Sequence, residues 1–112
     1  MGNSLGLWSG PSPEERVVQS HHNDLQEAII HPLTVASKLL QEGVVSRALV
    51  SEVSTQGRSQ LQNSTAIITA VTASIHSKPD QFQVFMSVLE DSPESASLAT
   101  RMRNELSELC NN

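Results

Sequence analysis

The chain has 112 residues, with 12 acidic against 7 basic side chains and a net charge of −5. It is 38% apolar but only 3% aromatic, which suits one domain with a single modest, aliphatic core. The acidic balance and the scatter of the basic residues argue against nucleic acid as a partner, because phosphate-backbone binding needs a basic surface.

Residues 1–12, "MGNSLGLWSGPS", are rich in Gly, Ser and Pro and read as a flexible tail; residues 13–110 carry helical signal almost throughout. Ser12-Pro13-Glu14-Glu15 opens a first helix, with Ser12 as cap, Pro13 at the first helical position and Glu15 completing a capping box. Val18, His22, Leu25 and Ile29 follow at steps of three and four. Asn23-Asp24 has poor helix propensity, so a bend is expected there.

Pro32 ends that helix and starts the next, whose apolar stripe is Leu33, Ala36, Leu39 and Leu40. Gly43 is its stop. Ser46 caps a short third helix that presents Leu49, Val50 and Val53 and ends before Gly57. A fourth helix starts at Gln60 or Asn63 and reaches His76, with Ile67, Ile68, Val71 and Ile75 on one face. Ala66, Ala70 and Ala73 allow its neighbours to approach closely. The fifth runs from Pro79 to about Asp91 and carries Phe82, Phe85, Met86 and Leu89. Pro93 starts the sixth, with Leu98, Met102, Leu106 and Leu109 on its stripe. Six helices joined by short connections predict an all-α antiparallel bundle with a bent first helix and a short third helix.

Chemistry-bearing patterns are scarce. No Ser is paired with a His and an Asp in a recognisable arrangement, and no glycine-rich phosphate loop is present, so no enzyme is expected. Adjacent residues on a helix point to different faces, so His21 and His22 do not form a metal pair; neither metal nor cofactor is expected. Cys110 is the single cysteine, so an intramolecular disulfide cannot form. No signal-peptide core is apparent, nor any apolar run of the roughly 20 residues that cross a bilayer. A reducing, cytoplasmic location is expected. Gly2-Asn3 resembles an N-myristoylation start, although Gly6 stands where Ser or Thr is preferred. Membrane attachment is expected only if Gly2 is acylated, and one acyl chain alone binds marginally.

The segments "LLQEGVVSRALVSEV" and "KPDQFQVFMSVLED" resemble the caspase-recruitment domain (CARD), a branch of the death-fold superfamily. The second segment is similar to that family's P-x-x-F-x-x-F-x-x-x-L pattern at Pro79, Phe82, Phe85 and Leu89. The resemblance spans roughly residues 14–109. Two related branches fit less well: the last helix lacks an Arg-x-Asp-Leu triad, and the single Trp is Trp8, outside the fifth helix. The resemblance implies non-enzymatic homotypic assembly, in apoptotic or innate immune signalling, with copies of itself or with other CARD-bearing adaptors, receptors or caspases. It implies helical stacking through asymmetric contacts, and such heterologous contacts propagate into filaments. One contact would set Lys78, after the fourth helix, against Glu90, Asp91 and Glu94 at the turn between the fifth and sixth. Another would set Arg16, Asp24 and Glu27 of the first helix against Lys38, Glu42, Arg47 and Glu52 of the second and third. The alternative is a monomeric helical regulator or decoy that holds a partner helix in a groove or caps assembly.

Overall fold

The computed structural model describes residues 12–111, so the tail and the Gly2 acylation motif lie outside the described residues, apart from Ser12. Seven helices occupy this span: α1 (Pro13–Ser20), α2 (His22–Ala28), α3 (Pro32–Gln41), α4 (Arg47–Val53), α5 (Gln60–Ser77), α6 (Gln81–Glu90) and α7 (Pro93–Asn111). The described residues contain no strand.

Local chemistry sets most of the boundaries. At the start of α1 the Glu15 amide donates to Ser12 Oγ at 3.3 Å, and the Ser12 amide donates back to Glu15 Oε1 at 3.4 Å. These reciprocal bonds satisfy two otherwise orphaned donors. Ser59 and Gln62 form a second capping box at the start of α5. Ser46 caps α4 by accepting from the Leu49 amide. Helix α3 ends in a Schellman turn. The Val44 amide donates to Leu39 O at 2.9 Å and the Gly43 amide to Leu40 O at 3.0 Å, with Gly43 at φ +78. That positive φ suits glycine because it has no Cβ.

The break in the first helix falls at His21, earlier than Asn23-Asp24. The His21 amide is shared between the Val17 and Val18 carbonyls, and the backbone leaves the helical region at φ −105, ψ 21. Helix α6 also starts later than the proline suggests, at Gln81. Residues 78–83 first make tight i→i+3 bonds, from the Gln81, Phe82 and Gln83 amides to the Lys78, Pro79 and Asp80 carbonyls. In α3 the buried face is Val35, Ala36 and Leu39, while Leu33 is 46% exposed. The stripe is thus rotated toward Val35 from the one the sequence suggests.

One core joins all the helices. Leu25, Ile29, Leu39, Leu49, Ile67, Val71, Ile75, Phe82, Phe85, Leu89, Leu98 and Met102 are all buried in it. Helix α6 packs against α3, α5 and α7; α1 and α2 lie against α5 and α7; α4 rests on α3 and α5. Phe82 and Phe85 are the largest of the fully buried side chains. The Ser95 hydroxyl, also buried, donates to Leu89 O at 2.6 Å and so satisfies a carbonyl at the end of α6.

Phe85→Ala should lower unfolding free energy by about 3–5 kcal/mol in urea titration, because it leaves a cavity among fixed helices. Leu33→Ala, at an exposed position, should shift it by no more than about 0.5 kcal/mol.

Candidate interaction surface

The structure sorts the charged residues expected at docking surfaces into two groups. The first group is already engaged within the chain. Lys38 Nζ lies 3.3 Å from Asp91 Oδ2, which joins α3 to the α6–α7 turn. Glu90 pairs with Arg103 of α7. Glu52 pairs with Arg58 at 3.1 Å. Asp24 Oδ2 takes both the Arg101 guanidinium at 3.4 Å and His21 Nδ1 at 3.3 Å. These pairs are largely exposed, and each contributes only about 0–1 kcal/mol to folding. Their consequence is local: they hold Asp24, Lys38, Glu52, Glu90 and Asp91 to neighbours in the same molecule. Of the acidic turn expected to face Lys78, Glu90 and Asp91 have cations within the chain, and Glu94 has none among the described residues.

The second group is Arg16, Glu27, Glu42, Arg47, Lys78 and Glu94. All six are exposed, and none has an ion-pair partner among the described residues. Position divides them further. Lys78 caps the C-terminus of α5, and Glu94 lies in the first turn of α7. Each sits where its own helix dipole favours its charge.

Three of the other four stand clearly at the wrong ends. Glu27 is the penultimate residue of α2, and Glu42 is the C-cap of α3, so both anions sit where carbonyl dipoles are negative. Arg47 is the first residue of α4, a cation at a positive end. Arg16 lies midway along the eight-residue α1, where its helix dipole acts little on it. A charge at a helix end is worth about 0.3–1 kcal/mol, so the other three placements cost the monomer stability. The four form two complementary sets: Arg16 and Glu27 on α1–α2, and Glu42 and Arg47 bracketing the α3–α4 turn.

Several polar residues that position this surface are not evident from helical periodicity. Glu15 is buried, and its Oε1 lies 2.8 Å from His76 Nδ1, tying the start of α1 to the end of α5. His21 fastens the α1–α2 break to α7 through Nε2, 2.9 Å from Glu105 Oε1. Arg58 organises the α4–α5 loop. Its Nε donates to Asn63 Oδ1 at 2.7 Å, and the buried Asn63 side chain in turn donates to Val53 O at 3.2 Å. Local sequence gives one signal for these, the capping-box position of Glu15. His21 depends on a neighbour far along the chain, and Arg58 on how the α4–α5 loop folds back.

Among the described residues there is no cluster of three or more His, Cys, Asp or Glu side chains that could hold a metal ion. Nor is any helix there long and apolar enough to cross a membrane. No family model, curated protein or solved structure matches this chain. The surface is thus read from its own chemistry.

Arg58→Ala should lower unfolding free energy by about 1–3 kcal/mol, because it leaves the buried Asn63 amide oxygen without its donor. Arg47→Ala should change it by no more than about 0.5 kcal/mol in the same denaturation experiment, or raise it slightly.

Proposed function

We propose that this protein is a non-enzymatic interaction module of the CARD type, which stacks copies of itself or of like-folded partners through charged helical faces. The observation that carries the reading is a set of charges without ion-pair partners among the described residues, Arg16 and Glu27 on one face and Glu42 and Arg47 on another, three of which (Glu27, Glu42 and Arg47) sit against their own helix dipoles. Charges that cost the monomer stability and lack partners within it suit a surface completed by another molecule. Docking the α1–α2 face onto the α3–α4 turn of the next copy sets Glu27 against Arg47 and Arg16 against Glu42. The two faces differ, so the contact is heterologous and leaves a fresh copy of each face at the ends of the stack. Lys78 and Glu94 supply a second, weaker complementary pair. Complementary charges of this kind govern register and association rate more than raw affinity. The all-α bundle, the Phe82–Phe85–Leu89 core pattern and the short α4 are compatible with the death-fold architecture. Recruitment of CARD-bearing adaptors, receptors or caspases in cytoplasmic apoptotic or innate immune signalling is the role that goes with it.

A second reading has its own observation. A groove between α3 and α6 is lined by the polar side chains of Lys38, Gln41, Glu42, Ser87 and Asp91, with Val84 and Val88 between them. An amphipathic partner helix suits such a groove, and a monomeric regulator or a decoy would use it.

Charge reversal separates the two. Glu27→Arg or Arg47→Glu alone should raise the concentration at which the chain assembles by about tenfold or more, read by light scattering and negative-stain imaging. The double reversal should recover much of the loss, while circular dichroism stays unchanged in all three variants. A wild-type chain that stays monomeric at every concentration, yet binds an amphipathic helix, supports the groove reading. Wild-type-like assembly by both single variants rules out the stacking contact proposed here.

A further inference from the structure

A hollow of about 620 Å³ lies between α1–α2 and α5. Glu15, Gln19 and His22 line one side of it, and Thr69, Ala73 and His76 the other. Thr69 and Ala73 are exposed, so this stretch of α5 carries small side chains with no helix over them. The His76 ring is held by the buried Glu15 carboxylate through Nδ1, yet the side chain is 61% exposed. An oriented, open ring of this kind offers a flat face to another aromatic side chain. Glu15 is the one acidic residue lining the hollow, no Lys or Arg lines it among the described residues, and Glu15 Oε1 already accepts from the Ser12 amide and lies on His76. The hollow therefore suits an uncharged, partly apolar occupant.

The chain carries such a segment beside it. Residues 1–11 lie outside the described residues and contain no Asp, Glu, Lys or Arg. They hold Leu5, Leu7 and Trp8, the single Trp of the chain. They join the fold at Ser12, whose amide is bonded to Glu15 at the rim of the hollow. Ser12 is extended, at φ −66 and ψ 163, and Gly10-Pro11 just before it is a turn signal. Trp8 stands four positions before Ser12, a reach of up to about 14 Å, against about 10 Å from Glu15 to His22.

We propose that the segment before α1 folds back at Gly10-Pro11 and lays Trp8 into the hollow between α1 and α5, with the indole against His76 and Ala73. A tethered segment meets its site at an effective concentration of order mM, so a contact too weak to hold a free peptide is still filled. The strap uses none of Arg16, Glu27, Glu42 and Arg47, and it stands apart from the stacking contact.

The test uses the whole chain, whose single Trp and lack of Tyr make its fluorescence a report on Trp8 alone. Trp8 emission should lie to the blue of that of a peptide of residues 1–12, and acrylamide should quench it at least about threefold less. Nuclear Overhauser contacts should join the indole protons to the Ala73 methyl. Ala73→Arg fills the hollow from an exposed position; it should return emission and quenching to those of the peptide while circular dichroism stays unchanged. Ser97→Arg, at an exposed position of α7, should leave both as in the wild type. Dilution from about 10 μM to about 0.1 μM should change neither, because the contact lies within one chain. Arg47→Glu should leave the emission in place whatever it does to stacking, so the two proposals fail separately. Peptide-like emission from the wild-type chain overturns the strap. So does blue emission that survives Ala73→Arg, is lost equally in Ser97→Arg, or reddens on dilution.

Discussion

Burial of the α6 ridge is the constraint on which the rest of the molecule depends. Phe82, Phe85, Met86 and Leu89 are fully buried on a ten-residue helix that touches α3, α5 and α7. Phe82 and Phe85 are the largest of the fully buried side chains. The outer helices are oriented by the need to cover this ridge, and that orientation decides which charged residues end on the outside. The charged faces proposed for interaction are therefore a consequence of aliphatic packing and carry little of the folding energy themselves.

Electrostatics then divides the surface. Where a helix end lies close to a neighbour, its charge finds a partner within the chain, as Asp91 finds Lys38 and Glu90 finds Arg103. At the end of α2 and around Gly43, Glu27, Glu42 and Arg47 have no ion-pair partner among the described residues and sit against their own helix dipoles. A sequence shaped only for monomer stability would exchange Glu42 and Arg47, which lie on either side of the same turn. Their present order suits a surface shaped for contact, and the dipole penalty is relieved when an opposite charge arrives.

Much of the fold was legible in the sequence because it rests on local rules. The spacing of Phe82, Phe85 and Leu89, the Ser12–Glu15 box and the Gly43 stop each act within a few residues. Departures arose where distant partners decided. The first helix breaks at His21 and not at Asn23-Asp24; the His21 ring is drawn to Glu105, eighty-four positions away. Leu33 and Val35 are equally apolar, and only the positions of the neighbouring helices decide that Val35 faces inward. The candidate site was legible as a set of charges but not in its division. No spacing rule says that Arg58 neutralises Glu52 while Arg47 is left alone, since that depends on how the α4–α5 loop folds back around Asn63.

The stacking contact is tested most directly by intermolecular paramagnetic broadening between copies of the whole chain. A nitroxide is placed on Ala48→Cys in a Cys110→Ser background, next to Arg47, and mixed with isotopically labelled chain that carries no spin label. The amides around Arg16 and Glu27 of the labelled copy should broaden, and this broadening should fade as salt screens the charges. No broadening at those amides, with the two copies shown to associate, would contradict docking of the α1–α2 face onto the α3–α4 turn.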